Sequence, residues 1–86
     1  MNNDKYYKTN NFYCAAFLFA KGLELVNVDR TDPRKCLFVF VSHPELELML
    51  RAFNFGSVDE PVALVDARKL VYAIKKLKDG LYENNF

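Results

Sequence analysis

Nine consecutive apolar residues, FYCAAFLFA at 12–20, constrain this chain more than any other feature. As a helix they span about 13 Å, whereas a bilayer core takes about 20 apolar residues, so the run is too short to cross a membrane. A secretory leader is the rival reading. Lys5 and Lys8 precede the run, and Ala20-Lys21-Gly22 is a faint cleavage pattern. Asp4, the two tyrosines before the run and its aromatic content argue against a leader. Removal would also strip an 86-residue chain of apolar surface, and a domain of that size has a margin on the order of 5 kcal/mol. Asn10 or Asn11 is placed to cap a helix start and Gly22 to end it. The run therefore reads as a central, buried helix over 9–21, after a flexible tail 1–8, in a cytoplasmic protein.

The rest of the chain supplies a sheet and two more helices. GLELVNV begins a strand read over 23–30, with Leu23, Leu25 and Asn27 on one face and Val26 and Val28 on the other. Asp32-Pro33 initiates a turn, and CLFVFV at 36–41 is the strongest strand signal, β-branched and aromatic without a breaker. Together they predict an antiparallel hairpin over 23–41. Both faces of its second strand are apolar, so helices are expected on both. Ser42 and Glu45 have capping-box spacing, and Leu46, Met49, Leu50 and Phe53 form one helical stripe, giving a helix over 43–55. Gly56 ends it, and VALV at 62–65 reads as a short edge strand. Asp66 caps a last helix over 66–83 with Leu70, Ile74, Leu77 and Leu81 inward; Gly80 is a point where it frays or ends early. The class is a small single α+β domain over 1–86, in the order α-β-β-α-(β)-α.

Composition closes off several functions. Cys14 and Cys36 both lie in apolar runs and read as reduced, buried thiols rather than a disulfide or a reactive thiolate. His43 is the single histidine and has no nucleophile beside it. Asp29, Asp32, Asp59 and Glu60 are loop carboxylates that make no zinc site with one histidine. Three dispersed glycines form no phosphate loop. The expectation is no catalytic residue, no metal, no cofactor and no membrane partner.

Three segments carry a resemblance: YYKTNNFYCAAFLFAKGLELVNVDR, CLFVFVSHPELELMLRAF and VDARKLVYAIKKLKDGLY. The chain resembles, over nearly its whole length, the domain-of-unknown-function family numbered 5659, a small family of bacteria and their phages. There a helix ending in Lys-Gly precedes a hairpin with an FVF-type second strand, and a lysine-rich helix closes the domain. The resemblance implies a cytoplasmic bacterial or phage protein and supplies no catalytic residue. The loop Gly56–Pro61 is longer than the family's usual connection.

Charge placement supplies the binding candidates. The net charge is +1, with basic excess at both ends and an acidic middle around Glu45, Glu47, Asp59 and Glu60. On the last helix Arg68, Tyr72, Lys75 and Asp79 share a stripe bordered by Lys69 and Lys76. The hairpin tip adds Arg30, Arg34 and Lys35, and the tail adds Lys5, Tyr6, Tyr7 and Lys8. Separate basic clusters with aromatics between them suit a phosphate backbone and stacked bases. The alternative is a protein partner, an inhibitory role or a homodimer. Phe55, Tyr72, Tyr82, Phe86 and the tail tyrosines Tyr6 and Tyr7 are more than one small core is expected to hold, and the acidic middle suits a basic partner or mimicry of nucleic-acid charge.

Overall fold

The computed structural model describes residues 5–32, 34–57 and 59–83. Its elements run β1 (Tyr6–Thr9), α1 (Phe12–Ala20), β2 (Leu25–Asp32), β3 (Lys35–Val41), α2 (Leu46–Phe55), a 3₁₀ turn (Pro61–Ala63) and α3 (Ala67–Glu83). The class is α+β, as expected, with three helices and one antiparallel sheet of strand order β1-β3-β2.

The third strand comes from the N-terminal segment and not from Val62–Val65. Tyr6 pairs with Val41 and Thr9 with Phe38, and Ser42 extends the ladder by donating its N–H to Lys5 O at 2.8 Å. The expected flexible tail is thus ordered strand from Tyr6 onward; residues 1–4 lie outside the described residues. The physical reason is that β3, apolar and strongly β-prone, has two edges to satisfy. Val62–Val65 cannot serve, because Pro61 opens a 3₁₀ turn whose Val62 N–H is accepted by Glu60 Oε2 at 3.4 Å.

Local chemistry sets the ends of α1. Thr9 Oγ1 accepts from Asn11 N, and Asn11 Oδ1 accepts from Cys14 N at 3.0 Å, so the helix starts at Phe12 and not at residue 9. At the other end Gly22 takes φ +104°, Gly22 N donates to Phe19 O and Leu23 N donates to Leu18 O. This is a Schellman closure, with Leu18 and Leu23 both buried beneath it.

The hairpin departs from simple alternation. Leu25 pairs with Phe40 and Asn27 with Val39, so Val26 is an extra residue in a bulge. It flips the expected parity: Val28 joins Leu25 on the core face while Val26 stands 38% exposed. At the tip Asp32 Oδ1 accepts from Arg34 N at 3.0 Å; Pro33 lies outside the described residues. The helices do not cover both faces. Tyr7, Leu25, Val28, Phe38 and Phe40 join the core with α1, whereas Leu37, Val39 and Val41 stay outside that cluster. Val39 is nonetheless buried, flanked in register by Lys8 and Asn27.

Helix α2 starts at Leu46, later than the expected 43, because the capping box does not form. The sheet holds Ser42, while His43 Nδ1 accepts the Glu45 N–H at 3.0 Å and His43 O accepts from Leu46 N. Met49, Leu46, Leu50 and Phe53 still face the core, with Phe53 stacked on Phe17 at 5.0 Å. Gly80 is buried inside α3, which continues to Glu83. Leu77 and Ala73 are fully buried against α1 and form the inward stripe with Leu70, Ile74 and Leu81.

Candidate functional site

Helices α1 and α3 run antiparallel in contact, which brings the last turn of α1 beside the first turns of α3. There Phe19 and Tyr72 lie nearly parallel, centroids 6.4 Å apart at 14°. They floor an open groove of about 610 Å³ whose other lining residues are Ala20, Gly22, Asp66, Arg68 and Lys69. Tyr72 is 60% exposed, because its ring rests on Phe19 and not inside the core. The groove is therefore an aromatic surface with two cations and one carboxylate at its rim.

The electrostatics at that rim are local. Asp66 Oδ1 accepts the Arg68 backbone N–H at 2.8 Å, and Oδ2 lies 3.5 Å from the Arg68 guanidinium. The Arg68 side chain, then its backbone N–H and Lys69, hold the Asp66 carboxyl below the usual carboxylate range. Arg68 itself is almost fully exposed. Lys75 and Lys76 are exposed one turn beyond Tyr72, about 5–6 Å along the axis. Lys21, beside the groove, donates to Leu64 O at 3.4 Å and sits 6.0 Å from the Phe17 ring.

The eight basic and aromatic residues singled out in the sequence do not form one surface. Arg68, Lys69 and Tyr72 share the groove, and Lys75 and Lys76 continue its helix face. Arg34 and Lys35 are exposed at the opposite end, lining a smaller depression with Asn10, Phe12 and Leu81. Leu81 is about 20 Å along α3 from Arg68. Arg30 does different work. Its Nη2 donates to Gly80 O and to Leu81 O, the latter at 2.8 Å, so it caps the carboxyl end of α3.

Two groove residues escaped sequence reasoning. Phe19 is hidden within the apolar run, and Asp66 looks like a cap and nothing more. The usable signal for Phe19 was its place beside Lys21-Gly22, where the helix ends and its last side chains emerge.

Other candidates stay apart from the groove. Leu48 and Phe55, 52% and 85% exposed, line a shallow depression on α2 with Arg51, Ala52, Gly56 and Glu60. Phe86 and the Tyr82 side chain lie outside the described residues. Tyr7 is half-buried, and burial, then the Cys14 thiol, raise its hydroxyl pKa. Cys14 and Cys36 form no disulfide, and burial pushes the Cys14 thiol up. Among the described residues no group of three His, Cys, Asp or Glu side chains is placed to hold a metal ion, and no helix is long and apolar enough to cross a membrane.

Residues 4–83 match the family described as Domain of unknown function (DUF5659). The chain belongs to the DUF5659 family. The matched span contains the hairpin, the groove and all of α3, so these are parts of the DUF5659 domain itself. No curated protein and no solved structure matches the chain.

Proposed function

We propose that this DUF5659 domain is a non-enzymatic binding module that receives single-stranded nucleic acid on the amino-terminal half of α3, alone or within a nucleic-acid-processing complex. One observation carries the reading: an exposed Tyr72, backed by Phe19, lies between Arg68 and Lys69 on one side and Lys75 and Lys76 on the other. Bases stack on exposed aromatic rings, and a row of cations tracks the phosphates. An aromatic face open to solvent accepts an unpaired base, while the stacked bases of a duplex keep their faces covered. Two cysteines without a disulfide suit the reducing cytoplasm of a bacterium or of a phage-infected cell.

The test is fluorescence anisotropy with labelled single- and double-stranded oligonucleotides at low and near-physiological salt. Single strands bind at micromolar or tighter affinity, with a log–log salt slope of about −3 for four phosphate contacts. Tyr72→Ala weakens binding about tenfold, and combined charge reversal of Lys69, Lys75 and Lys76 to Glu abolishes it without unfolding the domain. No binding even at low salt overturns the reading.

A second reading rests on the α2 face, where Phe55 is 85% exposed next to Leu48 and Arg51. Exposed aromatic and arginine side chains anchor protein interfaces, including homodimers and inhibitory contacts. Phe55→Asp then shifts the molar mass measured by light scattering, or abolishes capture of a stoichiometric protein partner, and leaves oligonucleotide binding intact.

A further inference from the structure

The groove carries more chemistry than stacking requires. Cations and an aromatic floor suffice for any single strand, yet a carboxylate also sits at the rim. Asp66 lines the groove with 42% of its side chain exposed, and Oδ2 has only the long 3.5 Å contact to Arg68. Oδ1 is committed to the Arg68 N–H that starts α3. Each oxygen thus accepts one of these bonds, and since an ionised carboxylate offers about four acceptor sites, both keep capacity for a ligand; Arg68 and Lys69 hold the group ionised. A carboxylate here repels phosphate, so its value to a strand must come from a base edge.

Resting on the nucleic-acid reading above, we infer that the groove selects an unpaired guanine, stacked on the open face of Tyr72, which Phe19 backs, with its N1–H and N2–H donated to the two Asp66 oxygens. The four bases differ at this edge. Guanine presents two adjacent donors, which an ionised carboxylate accepts together. Adenine and cytosine each present a donor beside a ring nitrogen acceptor. Uracil and thymine present one N–H between two carbonyls, whose lone pairs face the carboxylate. Only guanine pairs with Asp66 free of lone-pair repulsion. Arg68 and Lys69, on the same rim, meet the phosphates to either side of the bound base.

The experiment uses the full chain and labelled 12-nucleotide thymine strands in which three positions are guanine, inosine, adenine or cytosine. Anisotropy titrations are run on the wild type and on Asp66→Asn. Asparagine caps a helix as well as aspartate, so the variant keeps its fold, which a thermal melt verifies. The guanine strand binds the wild type about tenfold tighter than the adenine strand, and inosine, which lacks the N2 donor, loses most of that preference. In Asp66→Asn the preference disappears: the guanine strand weakens to the level of the others, whose affinity holds or rises because a negative charge has gone. Equal affinities for all strands, inosine binding as tightly as guanine, or a guanine preference that survives Asp66→Asn each overturn the inference and leave the single-strand reading standing. Failure of every strand to bind overturns both.

Discussion

Arg30 on β2 donates a hydrogen bond from Nη2 to Leu81 O at 2.8 Å, fastening that strand to the carboxyl end of α3. The last carbonyls of a helix have no partner within the helix, and a cation there also meets the negative end of its dipole. Arg30→Ala should therefore cost about 1–2 kcal/mol of stability and leave oligonucleotide affinity unchanged. Urea denaturation beside anisotropy separates the two effects. A variant of wild-type stability with weakened binding would return Arg30 to the ligand surface.

Two glycines are needed for opposite reasons. Gly22 has φ +104° with nothing within 4 Å of the place a Cβ would take, so Gly22→Ala meets backbone strain alone. Gly56 has an ordinary φ of −69°, but a Cβ there would lie 2.6 Å from Ala52 O and 3.0 Å from the Glu60 side chain. Each alanine substitution should cost about 1–2 kcal/mol. Asparagine at 22 recovers part of the loss, since it tolerates positive φ, while asparagine at 56 recovers none. Chemical denaturation of the four variants checks this.

The legible parts of this fold are those written in short-range pattern. Asn11 and Gly22 bracket α1, the spacing of Leu70, Ile74, Leu77 and Leu81 declares α3, and CLFVFV declares the central strand. What escaped depends on partners far along the chain. Tyr6–Thr9 is only four residues long and becomes a strand because β3 offers it an edge. Val62–Val65 has strand composition, but Glu60 and Pro61 turn it locally into a 3₁₀ segment. Arg30 looks like any basic residue near a hairpin tip until α3 brings its carbonyls to it. The groove was half legible: the helical spacing placed Arg68 and Tyr72 together, but only the packing of α1 on α3 adds Phe19.

Thiol reactivity should separate the two cysteines. Cys14 is 4% exposed and its thiol pKa is raised by burial, whereas Cys36 is half-buried near the hairpin tip. Under native conditions Cys36 is labelled first and Cys14 follows only on opening, as peptide mapping after timed alkylation will show. A raised thiol pKa means the folded state keeps the proton that the unfolded chain releases. Stability from Cys14 is therefore full below about pH 9, the ordinary thiol value of 9.0, and declines as pH rises through the folded value. Cys14→Ala flattens that alkaline limb.

The acid limb has the opposite sign and different owners. Asp29 is held below its ordinary 3.8 by the Thr31 side chain and backbone, with Lys8 adding to it, and Asp66 by Arg68 and Lys69. Depressed carboxyl values stabilise the fold above about pH 4, and the contribution fades as pH falls through the folded values. Melting temperatures between about pH 5 and pH 2 should fall less steeply in Asp29→Asn and Asp66→Asn than in the wild type.

Deleting residues 1–9 gives the sharpest test of the N-terminal strand. A flexible tail could be removed at no cost. Here the deletion removes the pairing of Tyr6–Thr9 with Phe38–Val41, uncovers Tyr7's side of the core and leaves Asn11 without its Thr9 partner. Four residues of ladder and one half-buried tyrosine are worth about 3 kcal/mol together, a large share of a small domain's margin. The loss also turns β3 from a central strand into an edge that carries CLFVFV, an apolar, β-prone stretch without charge or proline. The truncated protein should melt well below the full chain and self-associate on warming, with amide exchange fastest along Phe38–Val41. A truncated protein that melts with the wild type and keeps those amides protected would mean that β1 contributes nothing to holding the sheet.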